Sequence, residues 1–238
     1  MKKTEGCLQI GVSGFDKICK WGIPLYSSIL VTGVPGSGKS IFCLNFILEG
    51  AKNNEPGLII TTDESIKSMR EYAKDLGLSL EDYEKKGLIT LMEHNYLGQK
   101  IGSIQAPMQL IKKNKIKRVV LDSLSMIDYI FKFDSKDFRI GLLQFISDLK
   151  KSNINFLATS DRESMYFKED FNFKPEDFLF DSLIFLFKIR KGSSFERCLH
   201  VAKLRGKEHS LDIYPFKIGK GGIKVYTDQM PFSLIENE

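Results

Sequence analysis

The stretch Gly33-Val34-Pro35-Gly36-Ser37-Gly38-Lys39-Ser40, set directly after the apolar run Ile29-Leu30-Val31, constrains the fold more than any other part of the chain. It satisfies G-x-x-x-x-G-K-[ST], a pattern that functions as a loop between a buried strand and a helix. The glycines let backbone N–H groups close around phosphate oxygens, because no Cβ blocks the approach. Lys39 supplies a point charge to the outer phosphates and Ser40 a hydroxyl for Mg²⁺. The helix beginning near Lys39 turns its positive dipole end toward the anion. Gly33, Val34, Pro35, Gly36, Ser37, Gly38, Lys39, Ser40 and Ile41 therefore read as the binding segment for a nucleoside triphosphate.

Around this loop, apolar strand-like runs alternate with helix-period segments. That pattern predicts an α/β fold, a mainly parallel sheet flanked by helices, in a single domain over residues 1–238. Strands are expected at Ser28–Thr32, Gly57–Thr62, Leu88–Met92, Arg118–Asp122 and Ile154–Thr159. Helices are expected from Lys39 to Lys52, from near Ser65 to a stop at Gly77, from a capped start at Ser79, and from Lys136 to Lys151. The last of these carries Ile140, Leu143, Phe145 and Leu149 as its apolar residues. After Ser182 the pattern changes to paired strands, Leu183–Ile189 with Cys198–Lys203 and Tyr214–Ile218 with Gly222–Tyr226, so C-terminal antiparallel strands should extend the sheet. Asp161–Asp177 lacks a period and reads as a mobile loop.

No apolar run approaches a membrane span, and no apolar signal region follows Met1-Lys2-Lys3, so a cytoplasmic protein is expected. Cys7, Cys19, Cys43 and Cys198 form no C-x-x-C pair, which argues for reduced thiols rather than a zinc site or disulfide framework. The net charge of +5 is mild. Its densest basic run, Lys112 to Arg118, reads either as a nucleic-acid patch or as a solvated helix end leading into a buried strand. No aromatic residues are interleaved for base stacking, which favours the second reading.

Hydrolysis needs more than a phosphate cradle. Asp122, at the end of the apolar run Val119-Val120-Leu121, could join Ser40 in holding Mg²⁺, or could simply form a structural turn. Asp63 and Glu64 end the apolar strand Leu58-Ile59-Ile60 on the same carboxyl edge as the phosphate loop. They could orient the attacking water, or Asp63 could cap the following helix with Glu64 in its first turn. Lys203 and Arg205 share one face of an extended segment, followed by Lys207 and His209. This cluster could grip a neighbouring subunit's nucleotide or could be a solvated edge kept from pairing by its charge.

Taken in order, these motifs resemble the KaiC-like group of RecA-superfamily ATPases, over nearly the whole chain. Gly11-Val12-Ser13-Gly14-Phe15-Asp16 with Gly22-Ile23-Pro24, and Glu49-Gly50-Ala51 with Glu55-Pro56-Gly57, match its N-terminal pattern. Thr62-Asp63-Glu64-Ser65, Arg118 to Leu124, and Lys203-Leu204-Arg205-Gly206 with His209, Tyr214-Pro215-Phe216 and Gly222-Ile223 match the rest. The resemblance implies a RecA-like P-loop core that assembles as a homo-oligomer, a hexameric ring with ATP between subunits. Asp63 and Glu64 would be its paired catalytic acids, and Lys203, Arg205, Lys207 and His209 would reach the neighbour's ATP. Three departures stand out. Asp63 replaces the usual Glu, Cys19-Lys20-Trp21 replaces the entry glycines in part, and one such domain is present rather than the two of clock proteins.

The expected function is Mg²⁺-dependent, slow ATP hydrolysis at ring interfaces in a regulatory or signalling role. Lys39 would stabilise the transferring phosphoryl group, Ser40 and Asp122 the Mg²⁺, and Glu64 with Asp63 the attacking water. A nucleotide-gated interaction module with negligible turnover is the alternative, and a RecA-type DNA motor a further one. No protein partner is named by the sequence, no membrane partner is expected, and nucleic acid stays open only through the DNA-motor alternative.

Overall fold

The computed structural model describes residues 6–20, 22–93, 105–125, 136–162 and 173–231. Trp21, the first five residues and the centre of the Asp161–Asp177 stretch lie outside them. The chain opens with β1 (Cys7–Leu8), α1 (Phe15–Ile18) and β2 (Ile23–Pro24), the two strands pairing antiparallel. Next come β3 (Ser28–Gly33), α2 (Lys39–Lys52), β4 (Gly57–Thr61), α3 (Ile66–Asp75), α4 (Leu80–Lys85) and β5 (Ile89–Glu93). They are followed by α5 (Gln105–Lys113), β6 (Arg118–Asp122), α6 (Lys136–Lys151), β7 (Asn155–Asp161) and a 3₁₀ turn at Pro175–Phe178. Four strands close the order: β8 (Ser182–Lys191), β9 (Ser194–Leu204), β10 (Ile213–Gly219) and β11 (Gly222–Val225).

Among the described residues the main sheet has nine strands in the order β11-β10-β9-β8-β3-β7-β6-β4-β5. From β8 to β5 every neighbouring pair is parallel, and β9, β10 and β11 add antiparallel pairs at one side. This is the expected mainly parallel sheet with antiparallel C-terminal strands. Parallel strands must be covered on both faces, since each carries apolar side chains up and down. One face packs Ile29, Val31, Ile59, Val120 and Leu157 against α2, α3, α4 and the N-terminal segment. The other packs Leu30, Leu58, Val119, Leu121 and Phe156 against α5 and α6.

Helix α2 is buried nearly all round, from Phe42 to Leu48 and at Gly50 and Ala51. Its Asn45 amide donates to Gly221 O at 3.0 Å and its Oδ1 accepts from Ile223 N at 3.0 Å, which pins the β10–β11 hairpin over it. Helix α3 ends at Gly77 (φ 67°) in a Schellman arrangement, with Leu78 N bonded to Ala73 O and Gly77 N to Lys74 O.

Three expectations need correction or refinement. Helix α4 starts after Ser79, but that side chain makes no capping bond. In α6 the buried stripe is Leu142, Phe145, Ile146 and Leu149, which follows i, i+3, i+4, i+7 spacing, while Ile140 and Leu143 fall on the opposite side and are exposed. The ends of the Asp161–Asp177 stretch are anchored rather than loose, because Arg162 and Asp177 are both buried and ion-paired.

The basic run divides between surface and core. Lys112 and Lys113 end α5 in the open, while Arg118 turns inward to 2 % exposure. There its guanidinium meets Glu55 at 2.7 Å, donates to Gln9 O and Phe46 O at 2.8 Å each, and lies over the Phe46 ring. No described helix is long and apolar enough to cross a membrane.

Candidate functional site

The sheet register gathers the candidate residues. Gly33 at the end of β3 lies opposite Asp161 at the end of β7, and Thr61 at the end of β4 lies opposite Asp122 at the end of β6. All four strand ends open on the same carboxyl edge, where an open α/β sheet binds its ligands. The loop Val34–Gly38 leaves β3 there. A Cβ at Gly33 would sit 2.0 Å from Leu186 O and 2.8 Å from Ser37 Oγ, so the loop can start its turn only without a side chain. Gly38 (φ 113°) needs glycine for a different reason, its left-handed backbone.

Gly38 gives α2 no side-chain cap, and the first turn of α2 carries no acidic residue. Its leading amides therefore point into the loop with the positive end of the helix dipole. Ser37 Oγ is buried in the loop without a hydrogen-bond partner among the described residues. These features fit a polyanion cradle. Lys39, at the start of α2, donates to Gly33 O at 3.1 Å and Val34 O at 3.3 Å and pairs with Asp161 Oδ1 at 2.7 Å.

Asp122 is 8 % exposed and accepts hydrogen bonds from Thr159 Oγ1 and from the Ser40 hydroxyl. Burial pushes its carboxyl above the usual range, against the downward pull of those two hydroxyls. A hydroxyl and a carboxylate so joined at a phosphate loop have the oxygen chemistry that Mg²⁺ prefers.

Asp63 and Glu64 follow β4, and the structure separates their roles. The N-cap of α3 is Ser65, whose side chain accepts from Ser68 N, so the capping reading of Asp63 does not hold. Asp63 is instead tied across to the end of β6. Its Oδ2 accepts from Ser123 Oγ at 2.7 Å and its Oδ1 from Thr62 Oγ1, which also receives Ser123 N at 2.8 Å. Glu64 carries no such ties. Burial raises its pKa, and the Asp122 and Asp63 charges add to the effect. The buried Tyr72 hydroxyl makes no hydrogen bond of ordinary geometry among the described residues but stands near enough to favour the Glu64 anion. A carboxyl with an elevated pKa is a stronger base than an ordinary carboxylate and is suited to take a proton from water.

Lys203 and Arg205 are brought to a different place. The end of β9 pairs Leu204 with Ser182, which pairs in turn with Ile29 near the start of β3. The phosphate loop begins after the opposite end of that strand, roughly 13 Å away at about 3.3 Å per residue. These cations accordingly start from the opposite end of that strand to their own loop. A register shift at Leu183/Ile184 leaves Ala202 unmatched and turns Lys203 onto the face that carries Leu183. There Lys203 Nζ donates to Asp177 O at 3.2 Å and Phe178 O at 3.4 Å, and Arg205 Nη2 donates to Phe178 O at 3.0 Å. Burial and the adjacent Arg205 lower the Lys203 pKa. Lys207 is exposed, and His209 has a buried Nε2 without a hydrogen-bond partner among the described residues.

Sequence reasoning missed the lysine's partner, Asp161, although an apolar strand ending in a carboxylate is the same signal that singled out Asp122. It also missed Lys188 of β8, whose Nζ donates to Pro35 O at 3.4 Å; nothing local in the sequence marks that contact.

Comparison with known proteins identifies relatives over nearly the whole chain. The family model described as "ATPase: KaiC" matches residues 8–230. A circadian clock oscillator protein KaiC from Parasynechococcus marenigrum (strain WH8102) is 28% identical over 233 residues, which cover 92% of this chain and 44% of that protein. Another KaiC, from Prochlorococcus marinus subsp. pastoris, is 30% identical over 230 residues, covering 91% and 44% respectively. The chain thus spans less than half the length of these curated relatives. Among solved structures, a KaiC-like protein from the hyperthermophilic archaeon Pyrococcus horikoshii OT3 superposes with a TM-score of 0.80 at 28% identity, covering 92% of this chain and 98% of that one.

Proposed function

The chain belongs to the KaiC ATPase family of P-loop proteins with the RecA-superfamily fold, and from that premise we propose that it is an ATPase working at subunit interfaces. It binds ATP with Mg²⁺ and hydrolyses it slowly within a homo-hexameric ring in the cytoplasm, in a regulatory or signalling role. The observation that carries this reading is the division of the charged residues between two edges of one sheet. Lys39, Ser40, Asp122 and Glu64 converge at the carboxyl edge, while Lys203 and Arg205 lie toward the other and cannot serve their own loop. A site so divided is complete only when a second copy supplies the missing cations.

The residues take the following roles. The amides of Gly36 to Ser40 hold the phosphates, and Lys39 balances charge on the transferring phosphoryl group. Ser40 and Asp122 would hold Mg²⁺, which when bound neutralises phosphate charge. Glu64 orients and deprotonates the attacking water, with Asp63 fastening the end of β4 to that of β6. Lys203 and Arg205, with Lys207 and His209, act on the adjacent subunit's nucleotide.

Phosphate release by the wild type and by Lys39→Ala, with mass measured in solution with and without ATP and Mg²⁺, tests the reading. Loss of at least a hundredfold in rate and assembly on nucleotide binding are expected. Equal rates in the two proteins, or a monomer in every nucleotide state, would refute it.

A further inference from the structure

The segment after β7 carries an ion pair that none of the roles above uses. Arg162 is 5 % and Asp177 1 % exposed. The guanidinium reaches both carboxylate oxygens of Asp177, Oδ2 at 2.6 Å, and lies over the Phe185 ring. Burying two charges is costly, and apolar residues of similar volume often stabilise a fold as well or better. Such a pair is therefore weak as a stabilising device, which directs attention to what it holds in place.

At one end Arg162 grips the strand that carries the phosphate loop. Its N–H donates to Gly33 O at 3.1 Å and its Nε to Thr32 Oγ1 at 2.8 Å, and the preceding residue, Asp161, pairs with Lys39. At the other end Asp177 belongs to the 3₁₀ turn Pro175–Phe178, and its Oδ2 also accepts from Lys174 N at 2.8 Å. The last carbonyls of that turn, Asp177 O and Phe178 O, are the acceptors for Lys203 and Arg205. Two like charges side by side repel, and two elements hold them in a common direction: Asp181, 3.8 Å from Arg205 Nη1, and the turn that offers those carbonyls.

We propose that the buried Arg162–Asp177 pair is a positioning element that fixes the 3₁₀ turn against the loop-bearing strand, and so holds Lys203 and Arg205 in the geometry they present to the adjacent subunit's nucleotide. The proposal rests on the reading that these two cations act across an interface. It assigns Arg162 and Asp177 no contact with nucleotide. Their effect is transmitted through the turn.

Mixed assemblies separate the proposal from the reading beneath it. A Lys39→Ala subunit cannot turn over its own ATP but still offers its cations; an Arg205→Ala subunit keeps its loop but offers a deficient face. Co-assembled in equal amounts, they should recover about a quarter of the wild-type rate, the fraction of sites that pair an intact loop with an intact neighbour. No recovery would refute the interface reading itself. Arg162→Met with Asp177→Leu is then added to one partner at a time. Placed in the Lys39→Ala subunit, the apolar pair should cut the recovered rate by at least tenfold. Placed in the Arg205→Ala subunit, it should change the rate by less than about twofold. A merely structural role would lower both arms alike. Equal losses, or no loss in the first arm, would overturn the proposal. Thermal melts check folding, and if the apolar pair fails to fold, Arg162→Lys replaces it. That variant keeps the charge but cannot span Thr32 and both Asp177 oxygens, so the same asymmetry is expected, and Asp177→Glu should restore part of the recovered rate.

Discussion

Replacing Asp161 by Asn should tighten ATP binding. Lys39 Nζ lies 2.7 Å from Asp161 Oδ1, with side-chain exposures of 10% and 40%. At an effective dielectric near 20, two unit charges at that separation attract by about 6 kcal/mol. The exposed side of Asp161 admits water, and fully exposed pairs retain no more than about 1 kcal/mol net. A pair with one buried partner falls between these limits, at roughly 1–2 kcal/mol. Lys39 must give up or share this contact to reach a phosphate, and Asp161 also places a negative charge beside the incoming anion. Asn keeps the shape and one acceptor but removes the charge. The expected result is a dissociation constant for ATP with Mg²⁺ lowered by roughly 5- to 30-fold in calorimetric titration. The gain should shrink at high salt, since the exposed side is screened. An unchanged or weaker affinity would show that the ion pair does not compete with nucleotide, and the reasoning would fail.

Other outcomes follow from the same geometry. Glu64→Gln should abolish phosphate release, and wild-type turnover should fall as pH drops through the elevated Glu64 pKa, because only the anion can take the proton. A carboxyl whose folded pKa lies above its unfolded value contributes stability at low pH that is lost as pH rises through the folded value. The Gln variant should therefore melt at or above the wild-type temperature at neutral pH, and a lower melting point would contradict the assignment. Gly33→Ala should abolish nucleotide binding and lower stability, since its Cβ would meet Leu186 O at 2.0 Å; calorimetry and a urea titration check both. Arg118→Met should destabilise the fold by about 3 kcal/mol, because Gln9 O and Phe46 O lose their donor and Glu55 its partner. Equal urea midpoints for variant and wild type would refute that.

Much of the fold was legible because its signals are local and periodic. The strand end at Asp122, the strand from Ser28 (read to Thr32, one residue short of its end at Gly33), the helix from Lys39 to Lys52 and the C-terminal hairpins all follow from runs that the neighbouring chain does not override. Where reading failed, two local patterns competed. Ile140 and Leu143 are as apolar as Leu142 and Phe145, and only the packing of α6 against Phe156 decides which stripe is buried. Asp63 and Ser65 are both good capping residues, and the contest was settled by Ser123 reaching across from β6 to hold Asp63.

The nucleotide loop itself needed no tertiary information. Glycine at fixed intervals, a lysine and a hydroxyl state their chemistry in eight consecutive residues. The partners of that loop are another matter. Asp161 faces Lys39, and Arg162 joins Thr32 to Asp177, only because β7 lies beside β3 in the sheet, a neighbour more than a hundred residues away along the chain. Lys203 and Arg205 look in sequence like any charged strand end. Their separation from their own loop comes from the antiparallel run of β9 along β8, which carries them back toward the start of β3. Residue chemistry is written locally, whereas the distance between two charges depends on strand order, and strand order is decided by how the whole sheet buries its two faces.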